Sequence, residues 1–252
     1  MPRVVAVANQ KGGVAKTTTV HCLGAALAEK GHRVLLVDLD PQACLTYSLG
    51  SRPDGLDRSL HDVLVHRLPV TEVLLKVGDL HLVPATIDLA GTEVHLLSRT
   101  GREYQVKRAL EPIFRDYDVI LIDCPPSLGI LTINGLTAAH EVLIPLQCET
   151  LGHRGVGQLL ETIDDVRSYT NERLAVTGVV ATMYDGRTRL AREVLDGARE
   201  RYSLEVLEPP VPKSVKVAEA PASGRSVLEH AGGSKAAAAY RELAAVLEAR
   251  WT

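Results

Sequence analysis

Apolar residues in this chain fall into short, nearly unbroken runs, separated by longer stretches in which they recur every three or four places. A run over residues 4–8 predicts a first strand, and a helix follows over 17–30, stopped by Gly31. Residues 34–37 predict a second strand, which ends in Asp38-Leu39-Asp40-Pro41-Gln42. Residues 43–78 read as helical and irregular, with Gly50, Pro53 and Gly55 as breakers. A third strand over 80–83 closes at Pro84, and helices follow over 89–97 and 104–114. The strand over 118–123 exits through Cys124-Pro125-Pro126-Ser127, and a helix over 131–139 precedes a strand over 141–145. Beyond these come a helix over 155–168, a long apolar run over 174–183, a helix over 190–202 and a short strand over 204–206. A loop over 209–224 and a closing helix over 234–250 complete the pattern.

Strands that are apolar at nearly every position belong to parallel sheets buried on both faces. Their alternation with helices predicts an α/β fold, a doubly wound, mostly parallel sheet flanked by helices. With no internal repeat or linker, residues 1–252 read as a single domain. Ligands of such sheets sit beyond the C-terminal ends of the strands.

Composition narrows this picture a little. Aromatic residues make up 4% of the chain, so the core is aliphatic and a base-stacking platform for single-stranded nucleic acid is disfavoured. The net charge of −3 gives no global pull toward nucleic acid, so any such contact needs a local basic patch. Cys22, Cys44, Cys124 and Cys148 are too scattered for a zinc site or disulfide framework. The first strand begins almost at once, leaving no room for a signal peptide, and no apolar run approaches the ~20 residues of a membrane span. A cytoplasmic location is the expectation.

The chemistry gathers at one sheet edge. Between the first strand and helix lies Asn9-Gln10-Lys11-Gly12-Gly13-Val14-Ala15-Lys16-Thr17-Thr18. Glycines at such a junction let backbone N–H groups face anionic oxygens, and the helix N-terminus adds partial positive charge. Lys16 is placed to reach phosphates, and the Thr17 hydroxyl to coordinate Mg²⁺. The general phosphate-loop pattern fits imperfectly, since Gln10 and Ala15 occupy its glycine positions and Lys11 is surplus. Asp123 ends a strand as a metal-holding acid does, and Asp38 and Asp40 form a close pair that needs a cation or lysine nearby. Asp40 is the candidate for positioning an attacking water, and Asp38 for a more distant role around the metal. Thr17, Asp40 and Asp123 form the expected metal set.

Lys11-Gly12-Gly13-Val14-Ala15-Lys16-Thr17-Thr18 resembles the deviant Walker A loop, K-G-G-x-x-K-[ST]-[ST], of P-loop NTPases in the ParA/MinD/nitrogenase-iron-protein class. Val37-Asp38-Leu39-Asp40-Pro41-Gln42 and Ile122-Asp123-Cys124-Pro125-Pro126-Ser127 look like its second and third motifs. Leu146-Gln147-Cys148-Glu149, Thr182-Met183-Tyr184-Asp185-Gly186-Arg187-Thr188 and the segment over 211–221 are similar to the ParA/Soj branch. The resemblance implies a single CbiA-like nucleotide-binding domain that hydrolyses ATP with Mg²⁺. It implies an ATP-bound homodimer in which Lys11 reaches the partner's phosphates and Gly12 lies at the junction. It also implies adenine contacts from Met183, Pro212 and Ser214. Non-specific double-stranded DNA binding is expected through Arg189, Arg192, Arg199, Lys213, Lys216 and Arg225, with a ParB-like partner that stimulates hydrolysis, on the nucleoid. Residues 187–225 carry eight basic and six acidic side chains, a small local excess.

Two other classes compete. A MinD-like membrane ATPase needs a basic amphipathic C-terminal helix, whereas the tail over 236–252 mixes Ala, Leu and Val with Glu242 and Glu248. A redox relative needs cysteines for a shared cluster, and only Cys124 has a suitable neighbourhood. Without a helix-turn-helix extension, operator-specific repression is not expected.

Overall fold

The computed structural model describes residues 1–148 and 152–251. Glu149 and Thr252, both within segments singled out above, lie outside the described residues. Eight strands form one sheet: β1 (Arg3–Val7), β2 (Val34–Asp38), β3 (Leu75–Val77), β4 (Leu80–Val83), β5 (Val119–Asp123), β6 (Glu141–Gln147), β7 (Ala175–Thr182) and β8 (Val206–Leu207), in the order β3-β4-β2-β5-β1-β6-β7-β8. All neighbours are parallel except β3 and β4. Helices α1 (Lys16–Glu29), α2 (Cys44–Ser48), α3 (Leu60–His66), α4 (Leu89–Leu97), α5 (Gln105–Leu110), α6 (Ile130–Ala138), α7 (Gly152–Tyr169), α8 (Arg189–Tyr202), α9 (Val215–Glu219), α10 (Val227–His230) and α11 (Lys235–Trp251) cover it.

The unbroken apolar strands divide their side chains by parity. Val5, Val7, Leu36 and Leu121 join the Leu23, Leu27, Tyr240 and Leu243 side chains of α1 and α11 in one buried cluster. Val4, Ala6, Leu35, Val37, Ile120 and Ile122 join the other, built with α3 to α8. Both faces of the same strands are therefore core, as their composition demands. Gly24 lets α1 lie close on β2: a Cβ there meets Leu36 Cδ2 at 2.7 Å.

Two stretches differ from the sequence expectation. Residues 43–78 contain β3, which turns back antiparallel onto β4 with Val77 opposite Leu80 across Gly78, at φ 57°. Three residues are too few for a period to register, but the positive φ at glycine suits a two-residue hairpin. The expected loop over 209–224 contains α9 and a 3₁₀ turn at Ala220–Ser223.

The register places the chemistry. Asp123 is paired with both Val7 and Asp38, so β1, β2 and β5 end level at the same edge. The phosphate-loop candidate, the Asp38/Asp40 pair and Asp123 all leave the sheet there.

Candidate functional site

The loop between β1 and α1 is pinned from both sides. Asn9, buried, donates through Nδ2 to the Pro145 carbonyl at 2.7 Å and accepts at Oδ1 from the Lys11 N–H at 3.0 Å. Thr182 Oγ1, at the end of β7, donates to the Val14 carbonyl at 3.0 Å. Gly13 and Ala15 take φ values of 74° and 65°. Glycine adopts that region freely, whereas Ala15 pays about 1–2 kcal/mol for it. Successive N–H groups in such a turn form an anion-binding concavity. At its base α1 starts at Lys16 with no side-chain cap and no acidic residue in its first turn, so its leading N–H groups are left for a ligand.

The carboxylates are not equivalent. Thr17 Oγ1 donates to Asp123 Oδ2 at 2.7 Å, while Asp123 Oδ1 is buried without a partner, alone in this among the described residues. Asp38 is spent inside the protein: Oδ2 accepts from Thr46 N and Oγ1 at 2.8 and 2.7 Å, and Oδ1 from Asp40 N at 3.2 Å. Through Thr46 it holds α2 in place. Asp40 accepts at Oδ1 from Gln42 N at 2.9 Å and borders the open cavity.

Burial dominates the electrostatics. Desolvation and the neighbouring Asp38 charge push the Asp123 carboxyl well up, against the pull of the Thr17 hydrogen bond. Lys16 is 7% exposed, and burial lowers its pKa while Asp123 and Asp40 oppose the shift. Its Nζ donates to the Lys11 carbonyl at 3.2 Å.

These groups open onto a cavity of about 820 Å³. Gly12, Gly13, Ala15, Lys16, Thr17 and Thr18 form one wall, whereas the Val14 side chain is buried. Asp40 and Tyr47 form a second wall, and Val217, Pro221 and Arg225 a third. Met183, Pro212 and Ser214 do not border this cavity. They gather beyond β7, where Tyr184 pairs with Pro212 and accepts from Lys213 N at 3.3 Å. The arrangement fits a polyphosphate with a divalent cation: uncapped N–H donors, a lysine, and an orphaned carboxylate oxygen beside a hydroxyl. Among the described residues no trio of His, Cys, Asp and Glu could hold a metal by itself.

Comparison with known proteins agrees. The sequence matches the AAA domain family over residues 2–176. It is 43% identical over 246 residues to the sporulation initiation inhibitor protein Soj of Bacillus subtilis, across 97% of each chain. It is 44% identical to the chromosome partitioning protein ParA of Caulobacter vibrioides, over 96% of this chain and 92% of that one. The chain belongs to the ParA/Soj family. Among solved structures, a cobyrinic acid a,c-diamide synthase from Mycobacterium smegmatis with bound ATP analogue and magnesium is 54% identical, with a TM-score of 0.90 over 100% of this chain and 96% of that chain. The fold is that of a P-loop NTPase with the deviant loop.

The basic residues expected of a ParA/Soj protein are at the surface, but several are already engaged. Arg189 pairs with Glu193 at 2.6 Å, Arg199 with Asp196 at 3.2 Å, and Lys216 with Glu219 at 2.9 Å. Arg192 and Lys213 are exposed, and Arg225 stands at the cavity rim. The buried face of α8 is Ala191, Val194, Leu195 and Ala198, so Leu190, 39% exposed, is not part of it. Helix α11 spends its apolar face on α1, burying Tyr240, Leu243 and Leu247. No helix among the described residues is long and apolar enough to cross a membrane.

The bonds made by Asn9, Thr46 and Thr182 were not anticipated from the sequence, although Asn9 and Thr182 lie in segments singled out there. Asn9 had a visible signal, a polar residue directly between a buried strand and the glycine turn. Thr182 stood in a segment resembling the ParA/Soj branch, but its bond to Val14 crosses 168 positions, and nothing local marked Thr46.

Proposed function

We propose that the protein is a Mg²⁺-dependent ATPase that partitions DNA, and that ATP joins two subunits face to face. The observation that carries this is Asp123 Oδ1, unpartnered next to the Thr17 hydroxyl at the mouth of an uncapped helix. An orphaned buried acceptor costs about 1–3 kcal/mol, which a cation relieves. Mg²⁺ would supply neutralisation of the phosphate charge. Thr17 and Asp123 would hold it, Lys16 and the loop N–H groups would hold the phosphates, and Asp40 would orient the attacking water. Met183, Pro212 and Ser214 flank the adenine.

The second subunit enters through Lys11 and Gly12. A Cβ built at Gly12 meets nothing within 4 Å, so nothing inside one subunit demands glycine there. A second copy closing over the phosphates supplies that demand, with Lys11 as a cation delivered in trans. Gly12→Val is expected to bind ATP as a monomer; dimerisation of that variant by ultracentrifugation argues against the sandwich. In the dimer the basic residues of α8 and the 213–225 segment are doubled and bind duplex DNA without sequence preference, until a ParB-like partner accelerates hydrolysis. This places the protein on the nucleoid in the cytoplasm. DNA cosedimentation with ATP, with ADP and without nucleotide, over a salt series, tests the whole cycle. Retention independent of nucleotide overturns it.

The Mycobacterium smegmatis relative's name suggests a second reading, ATP-driven amide formation. A thiol that released ammonia for such chemistry needs a lowered pKa. Burial pushes Cys22 up to about 12 and also raises Cys44 at the cavity wall. The partitioning reading is therefore preferred. Packing of α11 on α1 likewise argues against a MinD-like membrane helix, and the full burial of Cys124 against a shared cluster.

A further inference from the structure

A second cavity, of about 640 Å³, shares no lining residue with the first. It lies among α3, the turn at Val70–Glu72, and α5, on the sheet face opposite α1. Its charged lining consists of Arg67, Arg99 and Arg108, with no carboxylate. Many other arginines of this protein are matched with acids, as Arg33 is with Asp118, Arg58 with Glu72, Arg187 with Asp185 and Arg250 with Glu205, while those without an acid among the described residues, such as Arg52, Arg115 and Arg192, do not line this cleft. Among the described residues none of the three cleft arginines has an acidic partner. In a chain of net charge −3, leaving three guanidinium groups together without acids is a local departure.

The cleft is also partly pre-arranged. Arg99 donates Nη1 to the Leu64 carbonyl and Nη2 to the Val65 carbonyl, covering the C-terminal end of α3. Arg67 ends the same helix at φ 59°, a conformation that glycine takes without strain. Beneath these cations the floor is apolar, with Val63, Leu68 and Val70.

We infer that this cleft docks an acidic, amphipathic segment of a protein partner, with apolar side chains on the floor and carboxylates against Arg67 and Arg108. A compact phosphate is a poorer match, because the lining between the cations is largely apolar, with Val63, Leu64, Leu68, Val70 and Ala109. Spread carboxylates with interleaved apolar groups complement it.

The test uses a short fluorescein-labelled peptide in which Glu-Glu pairs alternate with Leu, followed by anisotropy on the full chain. The wild type is expected to bind it, more weakly as salt rises, with the binding about tenfold weaker in Arg67→Ser/Arg108→Ser. Both positions are exposed, and Arg99, which caps carbonyls, is left intact. The lysine double variant, Arg67→Lys/Arg108→Lys, keeps the charge and should recover most of the binding. ATP turnover and DNA cosedimentation should be unchanged in the serine pair. Equal binding by that pair, or by a peptide with Lys in place of Glu, overturns the proposal. Displacement of the peptide by equimolar pyrophosphate overturns it in favour of a compact anion, and loss of DNA binding in the serine pair overturns it in favour of nucleic acid.

Discussion

Lys16 and Asp123 lie inside the fold, whereas Arg189, Arg199 and Lys216 lie on its outside, each against a carboxylate of its own neighbourhood. At the phosphate loop, charge has been taken out of water and left incompletely satisfied. On α8 and α9 it stays in water and is locally neutralised. A ligand entering the first region completes bonds whose desolvation the fold has already paid for. A polyanion reaching the second must displace internal ion pairs, so its binding energy there is a difference between two similar quantities. The first region is thus suited to a tight, stereospecific ligand and the second to weak, salt-sensitive contact that duplication can switch on.

The sharpest way to break this contrast is at Lys16. Lys16→Ala leaves Asp123 and Asp40 facing anionic phosphates without their cation, and ATP affinity should fall about 100-fold or more in a calorimetric titration. Unchanged affinity would mean that the cavity is not the nucleotide site. Asp40→Ala removes a group that faces the cavity without supporting the fold as Asp38 does. ATP and DNA binding should persist while single-turnover hydrolysis slows about 100-fold, trapping the dimer. A monomeric variant in ATP removes the sandwich instead.

Burial at this region also has a pH signature. His21, on α1 at the cavity wall, contacts Ser48 Oγ through Nδ1 at 3.1 Å, and burial pushes its pKa from 6.5 down to about 4 against the pull of Glu229. Between those values the unfolded chain binds more protons than the native one, so this group destabilises the fold as pH falls from 6.5 toward 4. Asp38 and Asp123, whose carboxyls are raised, act in the opposite sense, so the readout is a difference between proteins. His21→Gln should flatten the slope by up to about 3 kcal/mol over that interval in urea titrations. Parallel curves for the two proteins mean that His21 is not held neutral.

The same contrast explains what could be read from the sequence. The phosphate loop, Asp40 and Asp123 were legible because each stands at the end of a short apolar strand, where composition changes abruptly. The parallel sheet was legible because its strands are apolar on both faces. Strand β3 was not, being three residues long and fixed only by its antiparallel partner. Asp38 and Asp40 could be given different roles from the sequence, but the bond that fixes Asp38, from Thr46 eight positions on, could not be read there. The pairing of the basic residues on α8 follows from i,i+3 and i,i+4 spacing and was in principle readable. Counting net charge over 187–225 concealed it, because the sum does not say which cation meets which acid.

That pairing gives the smallest expected effect and the most specific one. Arg199 also meets Glu208 at 3.5 Å, so if these acids restrain Arg189 and Arg199, then Glu193→Gln/Asp196→Asn/Glu208→Gln frees two cations without adding any. Exposed pairs of this kind are worth about 0.2–1 kcal/mol each. DNA affinity with ATP should therefore rise a few-fold per subunit, and ATP affinity, set in the buried region, should stay the same. The salt dependence gives the finer reading: each phosphate newly contacted steepens the slope of log K against log salt by about 0.9. A rise in affinity with a steeper slope identifies α8 as a DNA face restrained by its own acids. Higher affinity at unchanged slope reports only the altered net charge, and no change leaves Arg189 and Arg199 as an ordinary solvated surface, with DNA held elsewhere.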